Sequence, residues 1–361
     1  VSPGVAADVE LGLIEGYYGG PWTWPERQAQ VDCLKAHGYG FYIYAPKADV
    51  FLRRRWRETP PAETRDGLAA LAAHCRENGV RFGVGLSPFE IYRDFNAEAQ
   101  GALARKLAWL DELGIDDLGI LFDDMRGDLP ELAQTQVRII HWIAERSRAS
   151  RLVVCPTYYS DDAGLDRYFG ARPADYLEDF GAGLDPAIQI FWTGEEVCSR
   201  EFSPGHLDRV AESLRRKPFL WDNYPVNDGP RMSPHLHLRA FTGRPAAIGG
   251  RIAAHAVNPA LQPTLSLIPA LTLAESYRLG EAYQYVEAFD HAADEVLGKD
   301  LASLVRRHLQ TFQDVGRDRL APETIAKLRP RYAAFDHPAA REIVGWLDGA
   351  YVITPEMMEG A

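Results

Sequence analysis

Gly119-Ile120-Leu121-Phe122-Asp123-Asp124 reads as an apolar strand that stops in two adjacent carboxylates. A buried strand ordinarily ends in turn residues, and two like charges side by side repel and raise one another's proton affinity. One aspartate is accounted for as the N-cap of a following helix, where its side chain accepts from the first free N–H groups. The second has no such explanation. Paired carboxylates delivered at the mouth of a strand point to acid–base work.

Outward from this strand the same grammar repeats. Short β-rich runs at 11–15, 40–44, 81–86, 117–122, 151–155, 187–192, 218–221 and 248–254 alternate with helical patterns. Helices are expected from Pro25, entered at Thr23 or Trp24 and stopped near Gly38, and over 62–75, 99–113, 132–145 and 263–276. Such alternation is the signal of a parallel sheet with crossover helices. Eight strands within about 270 residues fit a closed (β/α)8 TIM barrel, an α/β fold, better than an open sheet. Beyond residue 281 the strands cease, and 288–297, 301–312 and 339–347 read as helices. The division expected is a catalytic barrel over 1–280 and a small C-terminal helical appendage over 281–361.

The chain of 361 residues is 46% hydrophobic and 25% charged, enough for one barrel with a smaller companion. Its net charge of -12 argues against a nucleic-acid partner, which calls for a basic face. Arg53-Arg54-Arg55 with Arg57 is the one basic cluster, and it reads as a solvated loop. No run of about 18 apolar residues is present, so no membrane span is expected. No basic region followed by an apolar one opens the chain. It starts at Val1, which leaves room for a segment removed earlier. The compartment stays open, the cytoplasm slightly favoured and secretion admitted. Cys33, Cys75, Cys155 and Cys198 are scattered without a CxxC pair, and most read as buried thiols.

Barrel active sites sit at the C-terminal ends of the strands. Those ends read Glu15-Gly16-Tyr17-Tyr18-Gly19-Gly20, Ala45-Pro46-Lys47, Ser87-Pro88, Asp123-Asp124, Cys155-Pro156-Thr157-Tyr158-Tyr159, Phe191-Trp192-Thr193-Gly194, Trp221-Asp222-Asn223 through Asp228, and Ala256-Val257-Asn258-Pro259. Aromatics, carboxylates and amides together suit a sugar: C–H faces pack on rings while hydroxyls need amide and carboxylate partners. His235 and His237 form an HxH pair, but after Pro234 the segment reads as the start of a helix, where the two side chains diverge. With no companion at ligand spacing, neither a metal nor any other cofactor is expected.

In this order, from about residue 10 to residue 280, Glu15-Gly16-Tyr17-Tyr18-Gly19 with Pro21-Trp22, Tyr44-Ala45-Pro46-Lys47, Leu121-Phe122-Asp123-Asp124, Cys155-Pro156-Thr157, Trp192-Thr193-Gly194 and Trp221-Asp222-Asn223 closely resemble glycoside hydrolase family 84. That family holds bacterial β-N-acetylglucosaminidases, some called hyaluronidases, and the animal protein O-GlcNAcases. The resemblance implies a retaining exo-β-N-acetylglucosaminidase whose nucleophile is the substrate's own 2-acetamido oxygen, one of the exceptions to the two-carboxylate scheme. It gives Asp123 the acetamido N–H and Asp124 the proton transfers. Tyr159 would support the acetamido group and the oxazoline, and Trp221 would wall its pocket. Asn223 and Asp228 would bind the 4- and 6-hydroxyls. Lys47 and Asn258 would be further hydroxyl contacts, and Gly16 would bring backbone close to the ring.

Two physical expectations follow. Side chains alternate along a strand, so the chain must bend at the aspartates for both to reach one sugar. A general acid working near neutral pH needs a raised pKa, and a neighbouring carboxylate is one means of raising it. The chain departs from the family pattern at Ala48 and Arg53, at 260–263, and in Arg126 and Asp128 behind the acid pair, changes expected to touch the rim more than the sugar pocket. The alternatives are an endo-acting hydrolase of acidic glycans such as hyaluronan, which the net charge opposes, and a non-catalytic barrel that binds N-acetylglucosamine. The partner expected is a β-N-acetylglucosaminide, on a glycan or a glycoprotein, with the oligomeric state open.

Overall fold

A computed structural model describes residues 9–360. Eight parallel strands close into a barrel in sequence order: β1 (Leu11–Glu15), β2 (Tyr39–Tyr44), β3 (Arg81–Leu86), β4 (Asp117–Leu121), β5 (Arg151–Cys155), β6 (Gln189–Trp192), β7 (Phe219–Asp222) and β8 (Ala254–Val257). β8 pairs back onto β1 with Leu11 opposite His255. The (β/α)8 fold expected from the alternation is the fold observed.

Local sequence sets the helices between them. α1 (Trp24–Lys35) is capped by Thr23, whose hydroxyl accepts from Glu26 N–H while Glu26 reaches back to Thr23 N–H at 2.7 Å. This reciprocal box satisfies two of the helix's orphan donors. α2 (Ala62–Glu77), α3 (Ala97–Leu113) and α8 (Pro263–Leu279) contain three of the other expected helices, and α4 (Leu132–Ala144) ends one residue short of the fourth. α5 (Ala163–Phe169), α6 (Tyr176–Gly183) and α7 (Pro204–Leu214) were not expected.

The eighth strand needs correction. Ile248 lies in a 3₁₀ turn over Ala246–Arg251, and β8 starts at Ala254. The expected helix start after Pro234 is absent too. That stretch is a turn, with His235 Nδ1 2.9 Å from the Gln313 carbonyl and His237 Nδ1 2.9 Å from that of Val226.

The barrel interior is filled by rings. Phe219 packs edge-on against Phe41 and Phe191, with centroids 5.4 and 4.9 Å apart. Gly12 is needed beside them, because a Cβ there would stand 2.2 Å from the Phe41 ring. At the N-terminal end Asp117, fully buried, is gripped by Arg81 and Arg151. A buried ion pair at that end of a barrel serves stability, since barrel chemistry lies at the other.

After α8 come α9 (Tyr285–Leu297), α10 (Lys299–Gln310), α11 (Pro322–Ala333), α12 (Pro338–Asp348) and α13 (Pro355–Gly360). α9 packs along α8, and so does α12, which is joined to it by a buried carboxylate: Glu342 accepts from the N–H groups of Thr264 and Leu265 at 2.8 and 2.9 Å. Among the described residues no helix is long and apolar enough to cross a membrane.

Candidate active site

A cavity of about 230 Å³ opens at the C-terminal ends of the strands. Its lining includes every residue expected from the sequence: Gly16 after β1, Lys47 after β2, Asp123 and Asp124 after β4, Tyr159 after β5, Trp221 on β7 with Asn223 and Asp228 behind it, and Asn258 after β8. The volume lies below the range of drug-sized clefts, so the space suits a small ligand.

The expected bend is present. Asp124 has φ +58°, in the left-handed region, which costs a residue with a β-carbon about 1–2 kcal/mol but is easiest for Asn and Asp. The turn rotates the second carboxylate to the side of the first, so both face the cavity. Lys47 Nζ donates to Asp123 Oδ2 and lies 3.4 Å from Asp124 Oδ2. Asp123 is 5% exposed, and its other oxygen, Oδ1, has no hydrogen-bond donor among the described residues. A buried acceptor left without a donor is costly, and a ligand N–H placed there relieves that cost.

Asp124 accepts from the Tyr18 hydroxyl at 2.7 Å and from that of Tyr159 at 3.4 Å. Burial pushes its pKa up, but the charges of Lys47 and Arg53 and the Tyr18 hydrogen bond outweigh burial, so the carboxyl sits below its ordinary value. The raised value expected from two adjacent acids is therefore not met in the free site: the cations facing the pair dominate. Arg53 corrects a second expectation. It is 4% exposed with Trp56 fully buried beside it, so this part of the basic cluster is not a solvated loop and its charge acts on the pocket.

Asp228 behaves oppositely. Burial raises its carboxyl to about 6, partly countered by the Tyr18 N–H, which donates at 2.8 Å, with the Asp124 charge adding to the rise. The far wall is a relay of amides. Gly16 N–H donates to Asn258 Oδ1 (3.1 Å), Asn258 Nδ2 to Asn223 Oδ1 (2.8 Å), and Asn223 Nδ2 to the Val197 carbonyl (2.7 Å). This chain ties the loops after β1, β8, β7 and β6 into one rigid rim. Trp221 lies under Gly16 so closely that a Cβ on the glycine would stand 2.2 Å from its ring. Behind Trp221, Asp222 is held by Arg244 (2.7 and 2.8 Å) and by His255 (2.9 Å), which is itself 2.8 Å from the Tyr277 hydroxyl. Burial works against that carboxylate, and the Arg244 charge and these hydrogen bonds hold its pKa down.

A profile described as beta-N-acetylglucosaminidase matches residues 11–314. The chain belongs to this family. The family is the one that the strand-end motifs resemble, glycoside hydrolase family 84, which includes the O-GlcNAcases. Protein O-GlcNAcase of Rattus norvegicus is 29% identical over 257 residues, which is 69% of this chain and 28% of that protein. The Mus musculus protein gives the same figures, so the chain spans 28% of the length of both curated relatives. A point mutant of the Thermobaculum terrenum O-GlcNAc hydrolase superposes with a TM-score of 0.75 and 30% identity, covering 90% of this chain and 71% of the other.

Within this family-84 site the sequence reading missed Tyr18, Thr193, Cys155, Val197, Cys198, Met232 and Met358, all of which line the cavity. Tyr18 had a signal, as it follows Gly16 at a strand end. Its neighbour Tyr17 turns the other way, fully buried, with its hydroxyl 3.0 Å from Glu15. Trp192, quoted among the matching motifs, is core: its Nε1 donates to His206 Nε2 at 3.1 Å and it does not reach the cavity. Among the described residues no group of three or more His, Cys, Asp or Glu is disposed to hold a metal ion.

Proposed function

We propose that the protein is a retaining exo-β-N-acetylglucosaminidase that removes terminal β-linked N-acetylglucosamine from glycans or modified proteins by substrate-assisted catalysis. The observation that carries this reading is the division of labour at the acid pair. Asp123 offers a buried oxygen with no donor among the described residues, the partner an acetamido N–H requires, while Lys47 pairs with its other oxygen. Asp124, the next residue, accepts from the Tyr18 and Tyr159 hydroxyls with Lys47 Nζ 3.4 Å away, and can exchange a proton.

In the first step Asp123 accepts from the acetamido N–H and so directs its carbonyl oxygen at the anomeric carbon. The C–O bond to the leaving group breaks as the carbonyl oxygen bonds to that carbon, and Asp124 gives its proton to the departing oxygen. The positive charge that develops on the oxazoline ring lies against the Asp123 carboxylate. In the second step Asp124 takes a proton from water as the water attacks the anomeric carbon and the oxazoline opens. Two inversions give net retention. Tyr159 would steady the acetamido group, and Trp221 would wall its methyl. Asp228, Asn223, Lys47 and Asn258 would receive the hydroxyls.

The test compares 4-nitrophenyl β-N-acetylglucosaminide with the plain β-glucoside. Release from the first only is expected, and equal rates on both would rule the mechanism out. Asp123→Ala is expected to lower kcat about 10²–10³-fold on every leaving group, as loss of a preorganised electrostatic contact does. Asp124→Ala should cost about 10²–10⁴-fold on poor leaving groups and far less on activated ones, which depart without a proton.

A further inference from the structure

The appended helices return to the cavity. After α12 the chain turns at Gly349 and runs to α13, where Met358 joins the cavity lining. The approach is anchored. Ile353 is 3% exposed, its N–H donates to Ser233 Oγ at 3.1 Å, and its Cδ1 fills the notch over Gly19, where a Cβ would stand only 2.6 Å away.

Both anchors flank Asp228. Gly19 follows Tyr18, whose N–H donates to Asp228 Oδ2. Ser233 closes the turn that begins one residue after Asp228, its N–H donating to the Gly229 carbonyl at 2.8 Å. Tyr18 reaches the other way with its hydroxyl, to Asp124. The tail therefore lies at the Asp228 end of the cavity, a tyrosine's length from the proton-transfer carboxylate.

We infer that the segment from Ala350 to Met358 closes the cavity at its non-reducing end and so restricts the enzyme to unsubstituted terminal N-acetylglucosamine. The inference rests on the proposed function, in which Asp228 holds the 4- and 6-hydroxyls. A sugar whose 4-oxygen carries a further residue would drive that residue into Met358 and the backbone at Ile353. A thioether is a poor partner for hydroxyls, so this wall excludes the extension and does not recognise it. Specificity for the chain end is then set by a part of the protein outside the strands that carry the chemistry.

The experiment uses the 4-methylumbelliferyl β-glycosides of N-acetylglucosamine and of its β-1,4-linked dimer, with released sugars analysed as they form. The wild-type protein is expected to free the fluorophore at once from the monosaccharide glycoside and to give no intact disaccharide from the dimer glycoside. Met358→Gly, which removes the wall, and Ser233→Ala, which removes an anchor, should each yield intact disaccharide. Each should raise the ratio of dimer to monomer kcat/KM by about tenfold or more, which corresponds to about 1.4 kcal/mol. Intact disaccharide as the first wild-type product, or an unchanged ratio in both variants, overturns the inference. Inactivity of the wild-type protein on the monosaccharide glycoside overturns the proposed function itself, and the inference with it.

Discussion

In the proposed mechanism the proton transfers turn on Asp124, whose surroundings hold its carboxyl below the ordinary value in the free protein. A general acid acts in its protonated form, so the alkaline limb of kcat/KM, which reports the free enzyme, should reflect this carboxyl. Replacing Lys47 by Met removes a facing cation and raises the Asp124 pKa. The limb is expected to move upward, while the rate at its plateau falls because Asp123 loses its partner. A limb that stays in place would assign it to another group. Asp228 gives the opposite signature. Its carboxyl is pushed to about 6 by burial, so it gains a proton, and loses accepting capacity, as pH falls through that value. KM is expected to rise below about pH 6, and Asp228→Asn should give a high KM that no longer changes there. The residues of this site were legible because each ends a strand; their charges were not. The carboxylate pair suggests mutual repulsion when read alone, and only the fold brings Lys47 and a buried Arg53 to face it.

At the scale of elements, long periodic segments and strand ends were readable, and short or interrupted ones were not. β5 and β3 fall where their apolar runs fall. β8 is four residues with a histidine at its second place, while the more apolar Ile248 sits upstream in a 3₁₀ turn beside Gly249 and Gly250. α5 and α6 have seven and eight residues, too few to show a periodicity. α7 did carry a signal, since Ser203 caps it and Pro204 opens it. The parity of Tyr17 and Tyr18 could not be read either, because alternation lapses once a strand has ended. The contact of β1's end with β7 permits a direct test. Gly16→Ala places a methyl group 2.2 Å from the Trp221 ring, which must move. Overpacking of this kind costs about 1–3 kcal/mol. A lower Tm is expected together with a raised KM for the N-acetylglucosaminide, as the proposed acetamido wall shifts. A variant with wild-type KM would show that Trp221 does not bound the sugar.

The whole molecule is stitched by contacts remote in sequence, none of which a local pattern announces. Glu342 of α12 is 6% exposed and accepts from the first turn of α8. Burial raises its pKa to about 7; the hydrogen bonds from Thr264 and Leu265 oppose the rise and the Glu26 charge adds to it. A carboxyl whose folded pKa lies above its unfolded value binds more protons in the folded state between the two, so stability falls as pH rises through that window. The loss is of order 3 kcal/mol, complete above about pH 7. Tm of the wild-type protein should therefore fall relative to Glu342→Gln as pH goes from about 5 to 8; parallel curves would show that the carboxyl titrates normally. Tyr18 joins the molecule on a finer scale, its N–H on Asp228 and its hydroxyl on Asp124. The separation of these two carboxylates, delivered by different barrel loops, is thus bridged by the covalent frame of a single amino acid. The barrel mouth carries its own gauge: the interval between its two acidic ends is set by the length of one tyrosine, held at both of its own ends.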